Sequence, residues 1–323
     1  MQIGYFLSSE DTGPKRLVEQ ARLVERSGFG EVMISDHYHP WIDVQGHSPF
    51  VWGVVGAIAT AAPSTTITTG VTCPTLRIHP AVLAQATATA SLLCEGRFRF
   101  GVGSGENLNE HILGDDWPDT DTRLDMLEEA VEVIRKLWEG SQVSHDGEHY
   151  VVRNARIYDP PAEPPPIIVS GFGDEAVALA AEIGEGYWGH SPDRETIEAF
   201  DAAGGAGPRY AQLNLCWAED AADARKTVHH VWPNGGIPGQ LSQDLPTWSH
   251  FEQAAELVTE EDATASVPCG PDVEPILASV REYQAAGYDH LYFHQIGPDQ
   301  HAFFDFWTRT LRPALADLET ATA

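Results

Sequence analysis

Lysine is almost missing from this chain: Lys15, Lys136 and Lys226 are the three among 323 residues. Arginine raises the basic total only to 19, against 48 aspartates and glutamates, for a formal net charge of −29. Such a polyanion repels phosphate backbones and acidic headgroups, which excludes nucleic acid and anionic membrane surfaces as partners. Cysteine is scarce and forms no C-x-x-C unit, so no disulfide framework or structural zinc site is expected. Cys73, Cys94, Cys216 and Cys269 each read as a small buried apolar residue. No apolar run reaches the length of a membrane span; Ala57–Ala62 stops at Pro63. The first residues, Met1-Gln-Ile-Gly-Tyr-Phe, read at once as a strand with no basic stretch or cleavage site before it, and a cytoplasmic protein is expected. Finally, no Gly-x-Gly-x-x-Gly follows the first strand, so a nicotinamide-binding doubly wound sheet is not supported.

What the chain does have is alternation. Strand-like runs at Ile3–Leu7, Glu31–Ser35, Thr66–Val71 and Arg97–Val102 are separated by helical patterns at Lys15–Arg26, Phe50–Thr60 and Ala81–Leu93, and the fourth run is followed by a helical pattern at Thr122–Trp138. Val143–Tyr158 alternates like a hairpin, with Asp146-Gly147 as its turn. Strand patterns resume at Pro164–Ser170, Gly186–Gly189, Arg209–Trp217 and Asp289–His294, and a last helix is expected over Phe303–Leu315. Trp232–Trp248, rich in Pro and Gly, reads as a long lid-like loop. Eight strand–helix units predict an α/β fold of the (β/α)₈ barrel type, one domain over residues 1–323.

In such barrels the chemistry sits where the strand ends converge, and two of these ends are unusually polar. The second strand runs into Ser35-Asp36-His37-Tyr-His39-Pro40-Trp41. His37 is the leading candidate for a base, since imidazole titrates near neutrality and can take a hydroxyl proton as a hydride departs. Asp36 is a candidate to orient it, although adjacent strand residues point to opposite faces. Trp41, stiffened by Pro40, suits the wall of a flat ring pocket. The fourth strand runs into Gly101-Val-Gly103-Ser-Gly105-Glu106-Asn-Leu-Asn109-Glu110. Gly105 lets a ligand approach the backbone, Glu106 offers a proton donor, and Asn109 an amide for a heterocycle edge. Glu110 reads as the opening of the next helix, and Glu10 joins the same face from the first strand. Ser170-Gly171-Phe172-Gly173-Asp174 precedes a helix and offers backbone N–H groups to an anion. Two further readings stay open: a flavin monooxygenase on the same fold, and a metal-dependent hydrolase using His37-x-His39 with His190 and His294.

Taken together, Ser35-Asp36-His37-x-x-Pro40-Trp41, Thr72-Cys73-Pro74-Thr75-x-Arg77-x-x-Pro80 and Gly103-Ser-Gly105-Glu106-x-x-Asn109-Glu110 resemble the coenzyme F420-dependent glucose-6-phosphate dehydrogenase family, in the deazaflavin branch of the luciferase-like superfamily. The resemblance runs from Gly4 to Gln300 and implies a barrel, commonly dimeric, that holds F420 at its strand ends. By this resemblance His37 is the base, Trp41 the aromatic that stabilises the reacting complex, and Glu106 the acid that protonates the deazaflavin N1. Asp36, Cys73, Gly105 and Asn109 belong to the pocket, Gly70-Val71 forms a cis peptide behind the ring, Gly171-Phe172-Gly173 meets the cofactor phosphate, and Glu10 faces the substrate. No metal is implied.

One departure concerns the substrate. The family grips a sugar phosphate with Lys and Arg in the second half of the barrel. This chain has Ser191-Pro192-Asp193 where one such lysine is expected, and no Lys or Arg between Lys226 and Arg281. Asp193 is read either as an acid in the first turn of a helix capped by Ser191 or as a pocket residue facing the substrate. An unphosphorylated hydroxyl compound is therefore the expected small-molecule substrate.

The acid surplus with almost no lysine also suits a salt-rich cytoplasm, where a short Debye length relieves self-repulsion. The melting temperature should therefore rise between low salt and molar KCl; a flat or falling curve would refute this.

Overall fold

The computed structural model describes residues 1–316. Among the described residues ten strands follow in order: β1 Gln2–Leu7, β2 Glu31–Ile34, β3 Thr66–Thr69, β4 Phe98–Val102, β5 Val143–Asp146, β6 Val151–Ala155, β7 Ile167–Ser170, β8 Gly186–Gly189, β9 Arg209–Leu215 and β10 His290–Gln295. Eight of them close a parallel barrel in the order β1-β10-β9-β8-β7-β4-β3-β2, and β5 with β6 forms a separate antiparallel hairpin. This is the (β/α)₈ architecture expected from the sequence.

The barrel strands are buried on both faces, as parallel strands under a helical coat must be. Their outer faces pack with the helices in one large core, from Leu7 and Ile34 to Leu291 and Phe293. Inside the barrel a smaller cluster of Phe6, Met33, Ile168, Trp188, Tyr210 and Tyr292 fills the axis. Helices begin where the sequence supplies the right residue. Pro14 and Pro80 open theirs at a position whose N–H has no intrahelical partner. Aspartate side chains cap five others: Asp119, Asp193, Asp220, Asp272 and Asp299. Part of the acid surplus thus satisfies orphan N–H groups and the positive helix ends.

Four expectations need correction. The hairpin turn is not Asp146-Gly147: Asp146 pairs with Val151, and the connection is Gly147–Tyr150. Its shape is imposed by Glu129, whose carboxylate accepts from the N–H groups of Glu148, His149 and Tyr150. Trp232–Trp248 is not a bare loop, since it carries helical turns at Pro233–Gly236 and Leu241–Asp244. Ser191 does not cap the helix Arg194–Ala202; Asp193 does, accepting from Glu195 N–H at 3.0 Å and from the Thr196 hydroxyl at 2.5 Å. The last helix starts earlier than expected, at Gln300, and loosens to a π turn over Trp307–Leu311.

At the closed end of the barrel Glu31 is fully buried. It accepts a hydrogen bond from Arg99 and sits 2.7 Å from Nδ1 of His290, so one carboxylate ties β2 to β4 and β10. Burial alone raises its pKa, but the His290 hydrogen bond and the charges of His290 and Arg99 hold it below the usual value. Its contribution is therefore present above the ordinary carboxylate range and lost as pH falls through it. Glu31→Gln, which leaves the half-buried Arg99 without its counter-ion, should cost about 3–5 kcal/mol at pH 7. In urea unfolding the gap to the parent should narrow towards pH 4; a gap that stays constant would assign the loss to packing.

Candidate active site

The open end of the barrel holds a cavity of about 690 Å³. Of the residues singled out in the sequence, Glu10, His37, Trp41, Gly70, Val71, Glu106, Phe172 and Gly173 line it. Asp36, Cys73, Gly105, Asn109, Gly171 and Asp193 stand outside its wall. Asp193 is spent on its helix cap, so it is not the pocket residue expected. Gly171 is buried, and its carbonyl accepts the Tyr187 hydroxyl at 2.9 Å. The peptide bond between Gly70 and Val71 is cis.

His37 is held on every side. Its side chain is 10% exposed, with Trp41 edge-on at 4.9 Å between ring centroids. Its backbone carbonyl accepts from the Ser48 hydroxyl at 2.6 Å. Nδ1 lies 3.1 Å from Nδ2 of Asn109, while Oδ1 of Asn109 accepts from the N–H groups of Tyr38 and His39 at 2.9 and 3.0 Å. Nε2 faces two carboxylates, Glu10 Oε1 at 3.5 Å and Glu106 Oε2 at 4.0 Å. Glu10 is buried at 3% side-chain exposure, and its other oxygen accepts from Ser8 and Ser35 at 2.9 and 2.7 Å. Glu106 is more open, at 29%, and also takes a longer 3.3 Å bond from Asn109.

Behind this wall lies a buried ionic cluster. Arg77 reaches Asp36 Oδ1 at 2.9 Å, and its backbone N–H donates to Glu110 at 2.9 Å. The Thr72 hydroxyl donates to the other Asp36 oxygen at 2.7 Å. Asp36 is thus engaged with Arg77 and does not orient His37; adjacent residues at the strand end point to opposite faces. Glu110, expected only to open a helix, is buried against the cluster, and burial pushes its pKa up to about 7 despite Arg77. Cys73 is buried beside Gly105.

Of the far wall the sequence reading named only His190, and that as a metal ligand; it missed Trp188, Gln212 and Asn214. Trp188, His190, Gln212, Asn214 and Trp232 line the cavity there. The side-chain amide of Gln212 donates to Asn214 Oδ1 at 2.6 Å, and that oxygen lies 2.9 Å from Nδ1 of His294. His294 sits between the rings of Phe6 and Trp232, and burial pushes its pKa down to about 4, so it is neutral at physiological pH. The polar alternation Gln212-x-Asn214 in an otherwise apolar strand was the available signal. A second hollow of about 580 Å³ adjoins, sharing His190, Gln212, Asn214 and Ser266 and reaching Arg225.

The H-x-H reading finds no shared site, because His37 lines the cavity and His39 does not, its Nδ1 lying 2.9 Å from the Leu108 carbonyl. Among the described residues no group of three or more His, Cys, Asp or Glu is placed to hold a metal ion.

Comparison with known proteins identifies the family and the fold. The model of the family described as luciferase-like monooxygenase matches residues 1–290. The F420-dependent glucose-6-phosphate dehydrogenase of Segniliparus rotundus is 32% identical over 98% of this chain and 99% of its own length. That of Kineococcus radiotolerans is 34% identical over 98% and 97%. Among solved structures, an F420-dependent secondary alcohol dehydrogenase in complex with an F420-acetone adduct superposes with a TM-score of 0.88 at 28% identity, covering 95% of this chain and 97% of its own. The F420-dependent tetrahydromethanopterin reductase of Methanopyrus kandleri, at 18% identity and a TM-score of 0.77 over 97% and 99%, shares the fold. This chain belongs to the luciferase-like monooxygenase family, among its F420-dependent glucose-6-phosphate dehydrogenase-like members.

Proposed function

We propose that this protein is an F420-dependent oxidoreductase that moves a hydride between the carbinol carbon of an unphosphorylated hydroxyl compound and the deazaflavin. The observation that carries this is the convergence of His37, Glu10 and Glu106 on one point of a cavity walled by Trp41 and floored by Gly70-Val71. The cavity suits a flat tricyclic ring with a polar tail. Its floor is the cis Gly70-Val71 unit, and a side chain on Gly103 would press on Val71 at 2.9 Å. Gly173 holds φ at +84° and leaves the N–H groups of the helix Asp174–Ile183 without a side-chain cap, an opening for the tail phosphate. Bound there, the deazaflavin supplies a hydride-accepting carbon. With the cofactor bound, His37 and the carboxylates beside it would handle the hydroxyl proton, Glu106 would face the ring, and Trp41 would cover the reacting groups. The same reading takes the chain as a single-domain cytoplasmic homodimer.

The substrate follows from the charge of the walls. A phosphate dianion leaving water needs cations or several oriented N–H groups. The far wall offers Gln212, Asn214 and His190, whose pKa burial pushes down to about 4, all uncharged at neutral pH. A sugar phosphate remains the second reading, favoured by the names of the relatives and by Arg225 in the adjoining hollow. That guanidinium already faces Glu260 at 3.5 Å, and Glu282 lines the same hollow.

Calorimetric titration should show tight binding of F420 and weak binding of FMN and NADP. Tight FMN binding without F420 affinity would rule the reading out. His37→Ala should lower turnover by about 10²–10⁴ with cofactor affinity within a few-fold; unchanged turnover in a destabilised protein would leave His37 a purely structural role.

In steady-state assays, kcat/KM for glucose 6-phosphate should fall orders of magnitude below that for the best neutral alcohol. Each missing charge-assisted contact is worth about 1.5–3 kcal/mol. Efficient oxidation of glucose 6-phosphate would instead assign Arg225 or backbone amides to the phosphate.

A further inference from the structure

The resemblance assigns the hydroxyl proton to His37, but the hydrogen bonds around that ring point elsewhere. The side chain of Asn109 cannot turn over. Its Oδ1 accepts from two backbone N–H groups, those of Tyr38 and His39 at 2.9 and 3.0 Å. Rotating the amide would set its NH₂ against those two donors and leave both unpaired, a cost of about 1–3 kcal/mol for each. Nδ2 is therefore fixed towards His37, and a carboxamide nitrogen only donates. Nδ1 of His37, 3.1 Å away, must accept. In neutral imidazole one nitrogen accepts and the other carries the hydrogen, so the proton sits on Nε2. A ring in that state keeps its one basic lone pair on Nδ1, where Asn109 engages it, and Nε2 has none with which to take the substrate proton.

Nε2–H points at the place where Glu10 converges. Ser8 and Ser35 both donate to Oε2 of Glu10, which leaves Oε1 as the oxygen that faces Nε2, at 3.5 Å. Glu106 is the poorer acceptor by position, since its Oε2 is 4.0 Å from Nε2, is more open to solvent and is shared with Asn109.

We infer that Glu10 is the proton acceptor of this site, and that His37 is a neutral hydrogen-bond donor to the substrate oxygen, locked in that tautomer by Asn109. This rests on the reading of the site as a carbinol oxidoreductase. The substrate oxygen lies between Nε2–H of His37 and Oε1 of Glu10. The C–H bond breaks with its electron pair leaving as hydride to the deazaflavin, the O–H bond breaks with its proton passing to Glu10, and C=O forms. Glu10 ends as the carboxylic acid, and His37 stays neutral throughout. Asn109 acts through His37 and is a positioning residue. In the reverse direction the same groups deliver a proton and polarise a ketone.

The tautomer is tested on cofactor-free protein labelled with ¹⁵N-histidine, by long-range ¹H–¹⁵N correlation at neutral pH, with His37 assigned by its loss in His37→Gln. The proton is expected on Nε2, and Asn109→Asp, whose carboxylate accepts, should move it to Nδ1. In turnover with neutral alcohols, Glu10→Gln should lower kcat by about 10²–10⁴. His37→Gln keeps an N–H donor and should lose only about tenfold, with F420 affinity retained in both variants as the check on folding. A proton on Nδ1 in the parent protein overturns the inference. So does Glu10→Gln turning over within threefold of the parent while His37→Gln is inactive, which makes His37 the base. If the parent oxidises no alcohol with F420, the oxidoreductase reading and the role of Glu10 fall together, while the tautomer still decides what Asn109 does.

Discussion

The arrangement of this site depends on one buried guanidinium. Arg77 comes from the loop after β3 and holds Asp36 at the end of β2 and Glu110 beyond β4. Two strand tips that would otherwise splay are thereby locked to a third element between them. Asp36 is adjacent to His37, and Glu110 is adjacent to Asn109, so fixing the cluster fixes the distance between the imidazole and the amide that directs it. Burying two carboxylates with one guanidinium is costly, and part of that cost shows in Glu110, whose pKa burial pushes up to about 7. A cheaper apolar clamp would bring the same strands together, but it would not restrict direction as a forked, hydrogen-bonded cation does.

The two walls of the cavity divide the electrostatic labour. On the near side sit Glu10 and Glu106, the carboxylates that give this region its negative field. On the far side an amide pair and a neutral histidine offer donors and acceptors without net charge. A chain of net charge −29 lowers the local concentration of any anion before it arrives. The far wall then gives an anion nothing to offset its lost hydration. On the proposed reading, both levels favour an uncharged substrate at that wall. The same surplus of acid also works locally, since aspartates close the N-termini of five helices.

How much of this was legible in the sequence follows from the range of the interactions involved. The barrel was legible because period-two and period-3.6 patterns are local, and the eight strand ranges agree with the structure to within a few residues. The near wall was legible because its residues lie in short runs at two strand ends. The hairpin turn was not, since Glu129, on the preceding helix, sets its shape by accepting three N–H groups. Nor were the helical turns within Trp232–Trp248, a segment that Gln45 holds through the Val231 carbonyl and Asn234, 186 and 189 residues along the chain. Asp193 was legible as a helix acid, but only its hydrogen bonds to Glu195 and Thr196 show that the carboxylate has no freedom to face a ligand.

The deepest limit concerns protonation. A histidine at a strand end announces proton chemistry, and no pattern in Ser35–Trp41 says which nitrogen carries the hydrogen. That information resides in Asn109, 72 residues away, and in the two N–H groups that orient its amide. The strand end supplies those N–H groups itself, because the chain turns after His37 and exposes Tyr38 and His39 to the same oxygen. Backbone geometry thus sets an amide, the amide sets a tautomer, and the tautomer decides whether the imidazole takes a proton or lends one. A residue type can be read from sequence, but its direction of proton transfer is a property of the closed barrel.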